Sequence, residues 1–181
     1  MVDDRLTQAG EALTAALGRQ SAFWGLGRTA GEMYAVLYLS AEPLALQEVA
    51  RRLRVTKGNV SIAIRQLERL GMARRHWRTG DRRVFFEAET HFWKIAHAVL
   101  AQRQKPEFDQ SFVLVEESAR LAGQAEPSAE KEFILARLAT LQELYELLDR
   151  VAQIALALGP DQLKSMVEML GKFRLETTKS E

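Results

Sequence analysis

A chain of 181 residues, 47% hydrophobic and 27% charged, is long enough to bury a core and too apolar for a disordered tail. It has no cysteine, which excludes disulfides, thiolate metal sites and a thiol redox switch. The net charge of +1 hides an asymmetry: residues 51–83 hold eleven Lys or Arg against Glu68 and Asp81, a local +9 that leaves −8 elsewhere, so a polyanion-facing module on an acidic scaffold is expected.

No run of about 18 uncharged apolar residues offers a membrane span, and the opening "MVDDRLTQAGEALTAALGR" lacks the basic-then-apolar layout of a signal peptide. A cytoplasmic protein without membrane contact is expected. Leu6, Ala9, Leu13 and Leu17 predict a first amphipathic helix ending near Gly18. "TAGE" predicts the start of a second, with Thr29 and Glu32 as a capping box, running through Met33, Val36 and Leu37 and stopping before Glu42-Pro43. Leu46, Val49, Ala50 and Leu53 fall at i, i+3, i+4 and i+7 and predict a two-turn helix, with Ala45 standing where a hydroxyl cap is expected.

After "RVT", Thr56 is placed to cap a helix whose inner face is Val60, Ala63, Ile64, Leu67 and Leu70 and whose end is Gly71. The bulky apolar residues are expected on that face alone, leaving Lys57, Asn59, Ser61 and Arg65 outside. The one strand signal follows: "MARRHWR", the turn "TGD" and "RRVFFEA" predict a hairpin with Met72, Val84 and Phe86 inward. Arg74, Arg75, His76 and Arg78 fall on its first strand and Arg82 and Arg83 after its turn.

From Thr90 the helical period returns. "HFWKIAHAVLAQRQK" predicts a helix up to Pro106, and "EFDQSFVLVEESARLAGQ" another. A long helix begins at Ser128, in which Ile134, Leu138, Leu141, Tyr145, Leu148, Ala152 and Ala155 recur at spacings of four and three, widened by Leu144, Val151 and Leu158. So wide a stripe predicts a partner helix, here from a second copy of the chain. Gly159-Pro160 ends it, "DQLKSMVEMLGKFRL" predicts one more helix, and "ETTKSE" is expected to fray. The expected fold is therefore mainly α: a winged helix-turn-helix with a two-stranded β-hairpin wing in residues 1–105, and a helical dimerisation region in 106–181.

Duplex DNA places one charge about every 1.7 Å along its axis, and neutralising several phosphates supplies sequence-independent affinity that a local +9 suits. Thr56 and Lys57, at a helix N-terminus, are assigned to phosphates; Asn59, Ser61 and Arg65 are assigned to base edges in the major groove. In the hairpin, Arg75, Arg78, Arg82 and Arg83 are candidates for DNA contact, the turn being where an arginine enters a narrow minor groove. Asp81 would be repelled by phosphate and is expected to orient a neighbouring arginine.

These residues bring a family into view. Residues 24–94 resemble the MarR-like winged-helix transcriptional regulators, closest to their GbsR-type branch, through "GRTAGEMYAVLYLS", "PLALQEVARRLRVTKGNVSIAIRQLERLGMARR" and "GDRRVFFEAETHFWKI". The resemblance implies a homodimeric regulator, a repressor by expectation, on a pseudo-palindromic operator. It further implies that Arg83 of the wing's Asp-x-Arg motif contacts DNA while Asp81 holds the wing. Some GbsR-like regulators respond to choline or related osmolytes, and a small-molecule effector of unidentified chemistry is expected here. Trp24, Tyr34, Trp93, Phe108 and Phe112 could cage a quaternary ammonium group, but aromatics at helical spacing belong more often to the core.

Rival functions have less support. His91 and His97, six apart, lie on different helix faces, and Glu87, Glu89 and His91 form only a loose cluster, so no metal site is expected. No phosphate-cradling glycine loop, nucleophile with its base, or paired carboxylates point to an enzyme or a cofactor. The alternative from another class is a winged-helix protein–protein adaptor without sequence-specific DNA binding.

Overall fold

The computed structural model describes residues 4–177, so the last four residues of "ETTKSE", where fraying is expected, lie outside the described residues. The chain divides into two compact units, Met1–Val99 and Leu100–Glu181.

In the first unit, α1 (Asp4–Phe23) runs past Gly18, and α2 (Arg28–Tyr38) begins one residue before Thr29. Both findings correct the sequence expectation and share a cause, the packing of α1 on α2. Gly18 is buried in that contact instead of ending a helix. Opposite it, a Cβ on Gly31 would stand 2.1 Å from the Leu17 carbonyl oxygen, so only glycine permits the approach. Gly27, at φ 79°, occupies the cap position of α2 without a side-chain bond, and Glu32 accepts from Arg28 Nε at 2.6 Å instead of closing a capping box.

Next come α3 (Leu46–Leu53) and α4 (Lys57–Arg69), which with α2 surround a core of Met33, Val49, Val60, Leu67 and Leu70. Ala45 has the extended backbone of a cap, φ −75° and ψ 149°, but nothing to offer the free amides of α3. Ala45→Ser should therefore raise stability by about 0.5–1 kcal/mol in thermal unfolding. An unchanged or lower melting temperature would mean that burying the hydroxyl outweighs the cap. Thr56 does cap α4, accepting from the Asn59 amide at 3.2 Å. At the other end Gly71, φ 64°, lets its own amide reach Glu68 O and that of Met72 reach Leu67 O, the paired bonds of a Schellman motif.

The wing consists of β2 (Ala73–Trp77) and β3 (Val84–Ala88), antiparallel with Arg75 opposite Phe86. The two-stranded hairpin is present as expected, and the sheet gains a third strand that was not: β1 (Leu44–Ala45) pairs with the other edge of β3, giving the order β1-β3-β2. Two residues are too few to show alternation, so β1 leaves no periodic signal. Phe86 joins the core, and Met72 and Val84 are half-buried against it. Phe85, on the opposite face, is buried as well, with the guanidinium carbons of Arg78 and Arg83 4.4 and 5.2 Å from its ring centre.

The exit from the wing is tied to the core. Tyr34 donates its hydroxyl to the Glu89 carbonyl at 2.7 Å, and burial makes that hydroxyl a weaker acid, its pKa pushed up to about 12. The buried Glu89 carboxylate accepts from the His91 amide (3.1 Å), Lys94 Nζ (3.1 Å) and the Thr90 amide (2.9 Å) at the entry to α5 (Phe92–Val99), bonds that hold it down at about 2. A depressed carboxyl stabilises the fold fully above about pH 5 and loses that contribution as pH falls toward its folded value. Glu89→Gln should thus flatten the decline of melting temperature between about pH 5 and pH 3. A parallel decline in both proteins would place the acid sensitivity elsewhere.

The second unit opens with a π-helical stretch, Leu100–Gln104, and continues with α6 (Lys105–Gly123), α7 (Ala129–Ala157) and α8 (Pro160–Thr177). Pro106 does not end a helix as expected; it sits at the second position of α6, directly after the π-helical stretch. Ser128 caps α7 by accepting from the Lys131 amide at 3.1 Å. Phe108 and Phe112 stack on Tyr145 across α6 and α7, with ring centres 4.9 and 5.5 Å away, and Lys105 pairs with Asp149 at 2.9 Å. Of the five aromatics considered for a cage, Tyr34 is in the core, Trp93 is half-buried and Trp24 is 41% exposed.

Candidate nucleic-acid interface

At 100° per residue, the side of α4 opposite its buried stripe is centred on Gly58, Ile62, Arg65 and Arg69, with Lys57, Asn59 and Ser61 toward its margins. Ile62 is 55% exposed, which corrects the expectation that all bulky apolar residues of this helix face inward. The signal was present in the sequence: position 62 falls outside the arc occupied by Val60, Ala63, Ile64 and Leu67.

Ser61, Arg65 and Glu68 of α4 line one groove with Arg75, Arg82 and Arg83 of the wing. Within it the cations differ in how much charge they can offer. Arg75 holds Glu68 in a two-bond pair, one arm 2.8 Å long, which raises the affinity of its guanidinium for the proton. Arg83 is gripped by Asp81 through Nε at 3.1 Å and Nη2 at 2.6 Å, and Asp81 also accepts from the Arg83 amide at 2.9 Å. These bonds hold the Asp81 carboxyl at about 2 and make it the fixed point of the wing turn. Arg65, Arg82 and Lys57 have no side-chain hydrogen bond or ion pair among the described residues, so their charge is fully available.

Arg78 falls in the loop after β2, not on the strand. It reaches Glu42 at 3.3 Å and the Pro43 carbonyl at 3.4 Å and does not line the groove. Thr56 spends its oxygen's acceptor role on the cap, leaving its hydroxyl proton for an outside acceptor. Two exposed residues escaped the sequence reading. Arg54 ends α3 in the left-handed conformation, φ 55°, which only glycine adopts without strain, and Trp77, 69% exposed, lies on the same wing face as Arg75. The first shows no pattern without φ; the second is visible by alternation from Ala73.

In α7 the expected dimer stripe is divided. Tyr145 is engaged within the chain, and Leu138, Ala152 and Ala155 are half-buried. Ile134, Leu141 and Leu148 are 39%, 38% and 44% exposed, and beside them Leu144, Leu147, Val151 and Ile154 are 48–55% exposed.

The MarR family model matches residues 24–83, the span from the end of α1 to the wing turn. No curated protein sequence matches the chain. Among solved structures, one described as a transcriptional regulator is 22% identical, with a TM-score of 0.55 over 82% of this chain and 95% of its own. A transcriptional regulator from Thermotoga maritima is 17% identical, covering 79% and 93% with a TM-score of 0.38. A mutant of MepR from S. aureus bound to an oligodeoxyribonucleotide is 22% identical, covering 77% and 91% with a TM-score of 0.33. Of these three, the first shows a shared fold, and the family match over residues 24–83 agrees with the winged helix-turn-helix formed by α2, α3, α4 and the wing.

Proposed function

We propose that this protein is a sequence-specific, non-enzymatic DNA-binding transcriptional regulator, acting as a cytoplasmic homodimer that places α4 in the major groove and the wing against the minor groove. The observation that carries the reading is the pair of unneutralised cations, Arg65 and Arg82, in one groove between an exposed helix and the wing, with Lys57 unneutralised at the N-terminus of the same helix, whose other face is packed in the core. A protein adaptor has no need of such charge. Thr56 and Lys57 serve phosphates, Asn59, Ser61 and Arg65 serve base edges, and Arg75 and Arg83 act as wing cations whose acidic partners hold their direction. Arg82 carries the free charge of the wing.

The dimer follows from the second unit. No described residue there is buried, yet α7 exposes Leu144, Leu147, Val151 and Ile154 along one side, an apolar surface that a second copy would cover. On a pseudo-palindromic operator, the two recognition helices of such a dimer would lie about 34–36 Å apart, the spacing of successive major-groove turns. Repression by occupancy, a small-molecule effector that shifts the population of binding-competent dimers, and placement in the GbsR-type branch through "GDRRVFFEAE" complete the proposal.

Capture of fragmented genomic DNA on the purified protein near physiological salt tests it. Retention of a few inverted repeats is expected. Uniform retention would reduce the protein to a non-specific binder, and no retention would favour the adaptor.

A further inference from the structure

Resting on that DNA-binding reading, we propose that Ile62 is a specificity-determining residue: flanked by the amides of Asn59 and Gln66, it reads an A·T base pair by packing on the thymine C5-methyl group. The core does not need it. Val60, Ala63, Ile64 and Leu67 are buried at 3% or less exposure, whereas Ile62 leaves 55% of its surface in water near the middle of the outward face. In the major groove the thymine methyl is the one apolar group that distinguishes a base pair, so an isoleucine so placed has a single matching target.

The neighbours fit the same pair. Asn59, Ile62 and Gln66 line one hollow beside the start of α2, on the side of α4 away from the wing, while Ser61 and Arg65 line the wing groove. Asn and Gln are the side chains that bond adenine N6 and N7, and arginine the one that bonds guanine O6 and N7. The exposed face of α4 is thereby split into an A·T-reading edge and a guanine-reading edge. One turn before Ile62 stands Gly58, whose absent Cβ would meet nothing closer than Thr56 Oγ1 at 3.8 Å. Folding therefore leaves room for alanine, and the glycine, which weakens the helix, keeps the backbone bare where a base edge approaches.

The test begins with duplexes selected from a randomised pool by the full-length protein, then remade with deoxyuridine at each thymidine in turn. At one position in each half-site the lost methyl should weaken binding about fourfold, the factor for burying one such group. Ile62→Ala, which should melt like the parent because the side chain is exposed, should bind thymine and uracil alike there, and Ile62→Val should keep most of the discrimination. Equal sensitivity to uracil in the parent and Ile62→Ala, or dispensable methyls throughout the selected site, would overturn this role while leaving sequence-specific binding intact. A pool that yields no preferred sequence would overturn both readings together.

Discussion

Arg65→Ala should keep the fold and lower affinity for the preferred duplex by about 1–3 kcal/mol in each half-site, the size of a bidentate contact to guanine. Each copy of a dimer uses the residue once, so the full loss reaches about 2–6 kcal/mol. Stability should not change, because Arg65 is exposed and bonds to nothing among the described residues. Lys57→Ala makes the natural comparison: its loss should fall on all sequences alike and flatten the salt dependence by about one unit per half-site, about two for the dimer. Titrating the preferred and a scrambled duplex at two salt concentrations separates the two. If Arg65→Ala weakens both duplexes equally, the residue touches phosphate and the assignment to a base edge is wrong.

Leu144→Asp should convert the protein to monomers at concentrations where the parent is dimeric. Leu144 is 49% exposed near the middle of the open side of α7, and burying such a side chain is worth about 1.5–3 kcal/mol. A twofold interface counts the loss twice, so the dimer dissociation constant should rise by about 10²–10⁴. Operator affinity should fall with it, since linked half-sites bind far more tightly than separate ones. Tyr145→Ala is instructive beside it. Stacked on Phe108 and Phe112 of its own chain, Tyr145 should affect the stability of the second unit before it affects pairing. Sedimentation across a concentration series decides the matter, and a Leu144→Asp protein that stays dimeric would move the interface off this face.

The ionised groups show why some of the candidate site was legible and some was not. A local charge of +9 is additive along the chain and can be counted from residues 51–83. Which of those charges is free cannot be counted. Glu42 meets Arg78 across 36 positions, Glu68 meets Arg75 across a helix end, and only Asp81 with Arg83 is close enough in sequence to be guessed.

What the sequence determined by itself are the features whose causes lie within one or two turns. The amphipathic period placed the inner face of α4, and a hydroxyl three residues before an amide made Thr56 and Ser128 caps. A glycine after the last apolar residue made Gly71 a helix stop. Gly18 looks like the same signal and is not one, because what demands a small residue there is the packing of a second helix. Strand β1, the division of the α7 stripe by Tyr145 and the pairing of the wing arginines belong to the tertiary structure alone. Each depends on a partner brought near by the fold, and a contact between distant segments leaves no period in either of them.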